Sequence, residues 1–226
     1  MSHDGDSFTG PKLALADPGA GISSVGHLPD GRWRFDNAVT KCFTDMLERS
    51  IPDLATLRKL TTDLGSWFVQ SKTDVLDLGC SRGDGIAPFL DRFGADNRFI
   101  AFDCSEPMVQ ACRERHRGFV NCGLLDVRHH DLREGLPPLM PSLILSTLTL
   151  QFVSLDSRQR VVADAFRILR PGGAMIVVEK TLGSDAASDR LLVDTYHAHK
   201  RANGYSTDEV EAKRQALQNV LVPLTA

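Results

Sequence analysis

The stretch of sequence that decides the fold is Asp74-Val75-Leu76-Asp77-Leu78-Gly79-Cys80-Ser81-Arg82-Gly83-Asp84-Gly85. Its first half is apolar and runs to an acidic residue, which is typical of a buried parallel strand at its carboxyl end. Its second half is a glycine-rich turn, and the apolar spacing from Ile86 to Phe93 predicts a helix after it. Glycines tolerate tight dihedrals and carry no side chain, so such a turn lets the backbone approach a ligand closely.

A second apolar run, Arg98-Phe99-Ile100-Ala101-Phe102-Asp103, also ends in an acid. The glycine turn alone is a weak signal, because its pattern is G-x-S-x-G-x-G and such turns also occur without a nucleotide. An acid at the end of the second strand, about 20 residues beyond the turn, is where a ribose hydroxyl pair is held. The two features together favour a nucleoside ligand at the carboxyl edge of the sheet.

Composition narrows the class of protein. The chain has 226 residues, 42% of them hydrophobic and 24% charged, which fits one globular domain with a sizeable core. A net charge of −3 disfavours direct nucleic-acid binding. No run approaches the roughly 20 apolar residues of a membrane span, and the N-terminus lacks a signal-peptide core, so we expect a cytoplasmic protein without membrane contact. Five cysteines without a C-x-x-C pair argue against a disulfide framework and a zinc site, and we expect no metal.

The chain divides into four segments. Residues 1–30 predict a flexible tail, and residues 31–226 a single domain. Within that domain, 31–70 carry two amphipathic helices that either pack over the sheet edge or form a lid over the ligand. Residues 71–180 alternate strands and helices, which predicts a doubly wound, mainly parallel sheet. Residues 181–226 predict C-terminal helices, one of which begins at a capping box of Ser206 and Glu209.

Residues 70–180 resemble the class I S-adenosylmethionine-dependent methyltransferases. The motifs that carry this resemblance are Asp77-x-Gly79-x-x-x-Gly83, the acid that ends the second strand, and Leu169-Arg170-Pro171-Gly172-Gly173 before the fifth strand. The resemblance implies a Rossmann-like α/β fold and a bound S-adenosyl-L-methionine.

A narrower resemblance, to the carboxy-S-adenosylmethionine synthases, runs from about residue 30 to 221. The motifs are Trp33-x-Phe35-Asp36, Leu76-Asp77-Leu78-Gly79-Cys80-Ser81, Leu148-Thr149-Leu150-Gln151-Phe152, Pro171-Gly172-Gly173 with Glu179-Lys180, and Lys200-Arg201-Ala202-Asn203-Gly204-Tyr205-Ser206. The last string is the specific one, because generic methyltransferases do not usually carry it. This resemblance implies that prephenate and S-adenosyl-L-methionine become phenylpyruvate and carboxy-S-adenosyl-L-methionine. The product then serves a separate enzyme that modifies wobble uridine in tRNA.

The same resemblance implies roles for eight positions. Gly79, Cys80 and Ser81 would contact the methionine end of the ligand. Asp103 would hold the ribose with Cys104 beside it, while Asp131 and Leu132 would flank the adenine. Arg214 would bind the carboxylate of the product, reaching in from the neighbouring subunit of a homodimer. A guanidinium fork suits a carboxylate well.

Two further ligand-binding positions differ from the family pattern. Leu54 stands where the family has a tyrosine, and Thr147 stands where it has an asparagine, so each position loses a polar contact. The family also continues past its last helix into an antiparallel hairpin that completes the sheet. This chain lacks that hairpin, which indicates a shortened or divergent member, or a partner that covers the strand edge.

These departures leave two alternatives to the synthase. The first is a conventional methyltransferase that acts on a small molecule or on tRNA, and it would yield S-adenosylhomocysteine and a methylated acceptor. The second is a non-catalytic partner subunit that binds S-adenosyl-L-methionine, and it would retain the ligand without turnover.

Overall fold

The computed structural model describes residues 31–225, and the tail predicted over residues 1–30 lies outside this range. Five parallel strands form one sheet in the order β3-β2-β1-β4-β5, which confirms the doubly wound parallel sheet predicted from the sequence. The strands are β1 (Asp74–Leu78), β2 (Arg98–Asp103), β3 (Leu125–His129), β4 (Pro141–Thr147) and β5 (Ala174–Val178). The helices are α1 (Asn37–Ser50), α2 (Leu54–Ser66), α3 (Ala87–Phe93), α4 (Glu106–Arg115), α5 (Arg117–Asn121), α6 (Leu155–Ile168), α7 (Ala186–Ala202) and α8 (Thr207–Leu217).

Strand β1 lies at the centre of the sheet and pairs with both β2 and β4. Because successive side chains of a strand point to opposite faces, β1 serves two separate cores. Val75 packs with α3 and α4 on one face, whereas Leu76 and Leu78 pack with α6 on the other. All three side chains are fully buried. A strand buried on both faces explains why the run from Asp74 reads as continuously apolar.

The helix starts follow from local hydrogen bonds. Asp36 caps α1 by accepting the amide of Val39, and Ser105 caps α4 by accepting the amide of Met108. The predicted capping box at α8 is present, because the side chains and backbones of Ser206 and Glu209 bond reciprocally. Each cap satisfies backbone amides that have no partner inside the helix, which fixes where the helix begins.

The helical spacing of Leu54, Leu60 and Leu64 predicts that one face of α2 is buried, and the structure departs from this prediction at Leu60 and Leu64. Leu60 and Leu64 are 55% and 56% exposed, and Trp67 at its end is 85% exposed. The helix instead buries Leu54, Thr61 and Gly65. A Cβ atom on Gly65 would lie 2.8 Å from Cζ of Phe89 on α3 and 3.1 Å from Cδ2 of Leu143 on β4, so α2 approaches both elements through its smallest residue. The close approach of the α2 backbone at Gly65, rather than the row of leucines, decides which face of the helix is buried.

The C-terminal segment follows β5, which forms one edge of the sheet within residues 31–225. Thr181 and Leu224 form an isolated parallel bridge beside it, and the amide of Leu182 donates to the carbonyl of Leu224 at 2.8 Å. This contact returns the chain to the sheet after α7 and α8. Within the same residues, no helix is both long and apolar enough to cross a membrane.

Replacing Gly65 tests the packing of α2. We expect Gly65→Val to lower the free energy of unfolding by about 1–3 kcal/mol, because the added atoms have no room against Phe89. Leu60→Gln on the exposed side of the same helix should change it by less than about 0.5 kcal/mol. Urea denaturation followed by circular dichroism measures both values. A larger loss from Leu60→Gln than from Gly65→Val would contradict this packing.

Candidate ligand-binding site

A cavity of about 390 Å³ lies over the carboxyl ends of β1, β2 and β4. Helices α1 and α2 roof it, and side chains from α7 and α8 close one wall. Nine of the ten predicted site residues line this cavity. They are Leu54, Gly79, Cys80, Ser81, Asp103, Cys104, Asp131, Leu132 and Thr147. The structure therefore brings these nine positions together, and their contact with a ligand stays a prediction.

The glycine turn takes its shape from one close contact that a side chain would prevent and from two backbone hydrogen bonds. Gly79 has φ of +72°, and a Cβ atom there would lie 2.3 Å from Oγ1 of Thr149. That hydroxyl donates to the carbonyl of Leu78 at 2.9 Å, so Thr149 covers the turn from above. The amides of Gly79 and Cys80 both donate to the carbonyl of Phe102, at 2.8 and 2.9 Å. The turn is thereby held against the end of β2.

Asp103 joins the two loops that follow β1 and β2. Its carboxylate accepts the amide of Ser81 at 2.8 Å and the amide of Ser105 at 2.9 Å. Burial raises its pKa, although the two amide bonds act in the opposite direction. A carboxylate has about four acceptor sites, so two remain for hydroxyl groups of a ligand. This geometry suits the ribose role predicted for Asp103.

Asp131 sits at the start of a 3₁₀ turn, Leu132–Glu134, and accepts the amide of Arg133 at 2.9 Å. The side chain of Arg133 also pairs with it, at 2.5 Å, and this hydrogen bond lowers the pKa of Asp131. The turn places the buried Leu132 against the cavity. An apolar wall beside an acceptor suits adenine, and contact of Asp131 and Leu132 with adenine stays a prediction. The Arg133 guanidinium is largely exposed and can rotate away from the carboxylate.

Asp77 lines the cavity and was given no role in the sequence prediction. It is only 3% exposed, and burial, followed by the charges of Asp103 and Asp84, raises its pKa to about 7. A buried carboxylate near two others favours a cation in the cavity, because a positive charge offsets their repulsion. The sequence showed an acid near the end of β1, but it did not show that Asp77 is buried beside Asp84 and Asp103.

The loop after β4 is fixed by Glu179, the residue that follows β5. Its carboxylate accepts the amides of Thr149 at 2.8 Å, Leu150 at 2.6 Å and Gln151 at 3.2 Å. These bonds hold a 3₁₀ turn, Leu150–Phe152, and with it the Thr149 hydroxyl over Gly79. The Leu-Gln-Phe and Glu-Lys motifs thus form one structural unit beneath the ligand cavity.

The roof of the cavity is apolar where α1 and α2 meet. Phe43, Met46 and Leu47 from α1 and Leu54 and Leu57 from α2 line it. Arg82 of the glycine turn donates to Oγ1 of Thr44 at 3.0 Å, which ties the turn to α1. Both helices therefore contact the cavity as well as packing on the domain.

The wall from α7 and α8 carries basic and aromatic side chains that the sequence prediction did not assign to the site. Tyr196, Lys200 and Lys213 line the cavity. Tyr205 is buried behind them, and its hydroxyl accepts Nζ of Lys213 at 2.9 Å and Oγ of Ser50 at 3.3 Å. The Lys-Arg-Ala-Asn-Gly-Tyr-Ser string thus joins α7 to α8 and places Lys200 on the wall. The sequence showed that this string is specific to one family, but it did not show which of the side chains face the cavity.

Arg214 lies outside the cavity of its own chain. It is on α8, about half exposed, and its guanidinium pairs with Glu211 at 2.7 Å. An exposed ion pair one helical turn apart contributes little to stability, so the guanidinium is free to take another partner. The predicted role of Arg214 in a neighbouring subunit stays a prediction.

The chain resembles known proteins in sequence over nearly its whole length. A family model described as a methyltransferase domain matches residues 75–173. A carboxy-S-adenosyl-L-methionine synthase from Erwinia tasmaniensis is 37% identical over 193 residues, which cover 85% of this chain and 78% of the relative. Another, from Shigella boydii, is 33% identical over 223 residues, which cover 98% of this chain and 84% of the relative.

Solved structures support the fold. DesVI from Streptomyces venezuelae aligns with a TM-score of 0.51 at 20% identity, covering 68% of this chain and 61% of that protein. An O-methyltransferase family protein from Burkholderia thailandensis aligns with a TM-score of 0.57 at 17% identity, covering 80% and 55%. At these identities the likeness shows the Rossmann-like methyltransferase fold alone.

The raised pKa of Asp77 predicts how S-adenosyl-L-methionine binding depends on pH. Deprotonated Asp77 favours the cationic ligand and protonated Asp77 does not, so affinity should rise as pH increases through about 7. Asp77→Asn should bind more weakly above pH 7 and lack this step. Isothermal titration calorimetry between pH 5.5 and 8.5 measures both profiles. Superimposable profiles for the two proteins would refute the role of Asp77.

Proposed function

Because the chain belongs to the carboxy-S-adenosyl-L-methionine synthase family, we propose that it converts S-adenosyl-L-methionine and prephenate into carboxy-S-adenosyl-L-methionine, phenylpyruvate and water. The observation that carries the proposal is that the string Lys200-Arg201-Ala202-Asn203-Gly204-Tyr205-Ser206, the part of the sequence most specific to this family, helps to build a wall of the ligand cavity. A lysine at that wall suits an anionic second substrate such as prephenate.

The proposed reaction balances without a further reactant. Prephenate loses its ring carboxylate as carbon dioxide, and the electron pair of that bond makes the ring aromatic as hydroxide leaves. The hydroxide takes a proton from the sulfonium methyl group and becomes water. The resulting carbanion is stabilised by the adjacent positive sulfur and bonds to carbon dioxide. The charges balance, because cationic S-adenosyl-L-methionine and dianionic prephenate give zwitterionic carboxy-S-adenosyl-L-methionine, the phenylpyruvate monoanion and water.

The residues of the cavity would hold the nucleoside and exclude water from the reaction. Asp103 would hold the ribose hydroxyls, and Asp77 would offset the charge of the sulfonium. The apolar roof formed by Phe43, Met46 and Leu47 would exclude water. Exclusion matters because bulk water would protonate the carbanion before carbon dioxide could bond to it.

The homodimer belongs to the same proposal. Arg214 of one chain would enter the cavity of a second copy and bind the new carboxylate through its two parallel N–H groups. Its position on the exposed side of α8, away from its own cavity, is what a contact made in a second copy requires. Plain S-adenosyl-L-methionine has no carboxylate at this point, so Arg214 would distinguish the product from the substrate.

Product analysis tests the proposed reaction. Purified protein given S-adenosyl-L-methionine and prephenate should form carboxy-S-adenosyl-L-methionine and phenylpyruvate in equal amounts, as measured by mass spectrometry and absorbance. Asp103→Ala should reduce this rate by about tenfold or more at limiting S-adenosyl-L-methionine, because the ribose contacts are lost. Formation of S-adenosylhomocysteine with a methylated acceptor would favour the conventional methyltransferase instead.

Mixing two weakened variants, assayed at limiting S-adenosyl-L-methionine, tests whether Arg214 acts across subunits. Arg214→Leu leaves its own cavity intact, and Asp103→Ala leaves its own Arg214 intact. If the arginine acts in the partner, a random mixture should recover about a quarter of wild-type activity, because half of the dimers are mixed and each has one complete site. Size-exclusion chromatography with light scattering verifies the dimer. No recovery in a mixture that exchanges subunits would contradict action across the interface.

A further inference from the structure

Two lysine side chains are buried at the wall that α7 and α8 contribute to the cavity. Lys200 is 5% exposed and Lys213 is 2% exposed, and both line the cavity. Lysines are almost never fully buried unless a partner of opposite charge is present. Their burial here therefore requires an explanation.

Neither lysine has an acidic partner among residues 31–225. No ion pair there includes either ammonium group, and Lys213 Nζ donates to the Tyr205 hydroxyl at 2.9 Å. Aromatic rings provide the remaining contacts. Lys200 Nζ lies 5.3 Å from the ring centroid of Tyr196 and 5.1 Å from that of Tyr205.

The charges nearest to Lys200 are themselves positive. Burial, followed by the charges of Lys213 and Lys180, lowers the pKa of Lys200 to about 8. Two buried cations side by side, without a counterion, destabilise the folded protein. An anion that entered the cavity would relieve this repulsion and accept the hydrogen bonds that the ammonium groups leave unused.

We propose that Lys200 and Lys213 bind the carboxylates of the carboxyl donor and orient it against the sulfonium ligand. This inference rests on the proposed function, and it names residues distinct from Arg214, whose partner is the carboxylate of the product. The acidic residues at the sheet edge attract the cationic ligand, and the lysine wall attracts the dianionic one. One cavity thereby holds two substrates of opposite charge.

A purely structural role for the lysines predicts a different result from a binding role. Methionine has nearly the volume of lysine, and replacing a buried charge with an apolar group is often neutral or stabilising. We therefore expect Lys200→Met and Lys213→Met to melt at or above the wild-type temperature. A binding role requires that the same variants lose affinity for the carboxyl donor.

Steady-state kinetics separates the two substrates. Each variant should raise the KM for prephenate by about 10- to 100-fold, because a charge-assisted contact is lost. The Kd for S-adenosyl-L-methionine should change by less than about twofold. Lys59→Met, which removes an exposed lysine paired with Asp63, is the matched control and should change neither value. An unchanged KM for prephenate, or equal losses for both ligands, would overturn the inference.

The pH profile provides a readout that packing would not affect. The groups facing Lys200 are Tyr196 on its own helix, Tyr205, Lys213 from α8 and Lys180 after β5. Tyr196 stays neutral in this range because burial raises its pKa to about 12. As pH rises above about 8, Lys200 loses its charge and the KM for prephenate should increase. Lys200→Arg should keep a low KM to higher pH, and a wild-type KM that is flat from pH 7 to 9 would count against the inference.

A binding assay keeps this inference separable from the proposed function. The protein is saturated with S-adenosyl-L-methionine and titrated with prephenate and with malonate. If wild type forms no carboxylated product but binds either dicarboxylate, and the double variant Lys200→Met/Lys213→Met does not, the anion site stands and the proposed function fails. If wild type does form the product and the double variant does so with unchanged KM, the proposed function stands and the lysine assignment fails. Absence of both turnover and lysine-dependent binding overturns both.

Discussion

The structure depends on buried charge that faces one cavity at the carboxyl edge of the sheet. Carboxylates at the ends of β1 and β2 lie on one wall, and two ammonium groups from α7 and α8 lie on another. Charges removed from water interact more strongly than charges at a surface, so each wall selects the sign of the ligand that it contacts. The glycine turn, the loop after β4 and the helical roof all serve to shape and cover this cavity. Asp103 has two roles. Its carboxylate joins two loops through hydrogen bonds, and it keeps further acceptor sites for a ligand.

The sequence was sufficient to predict the sheet and the residues on one wall of the site. The apolar runs, each ending in an acid, predicted β1 and β2, and their parallel pairing brought Gly79 and Asp103 to the same edge. These features are local, or are linked by one crossover, so their spacing in the chain determines their placement in space. The same reasoning missed Asp77 because its consequence depends on burial and on the neighbouring Asp84 and Asp103, which only the fold brings together.

The lysine wall and the orientation of α2 could not be predicted in this way. Lys200 reaches the cavity through the packing of α7 and α8 against the end of α1, where Arg49 lies over the ring of Tyr205 at 4.2 Å. That contact joins residues far apart in sequence, and no periodicity encodes it. The spacing of Leu60 and Leu64 predicted burial that the structure does not show, because periodicity cannot show that Gly65 allows the close approach of α2 to Phe89. In both cases, tertiary packing decides which side of a helix is buried.

The origin of the new carboxylate carbon tests the central claim most directly. Prephenate labelled with carbon-13 in its ring carboxylate would be incubated with the protein and S-adenosyl-L-methionine in buffer that contains unlabelled bicarbonate. Tandem mass spectrometry would locate the label in the sulfonium product. The account predicts that the product carries the label in its S-carboxymethyl group, because the cavity keeps the released carbon dioxide beside the carbanion. Unlabelled product would contradict that retention, and transfer of an intact methyl group to an acceptor would contradict the account as a whole.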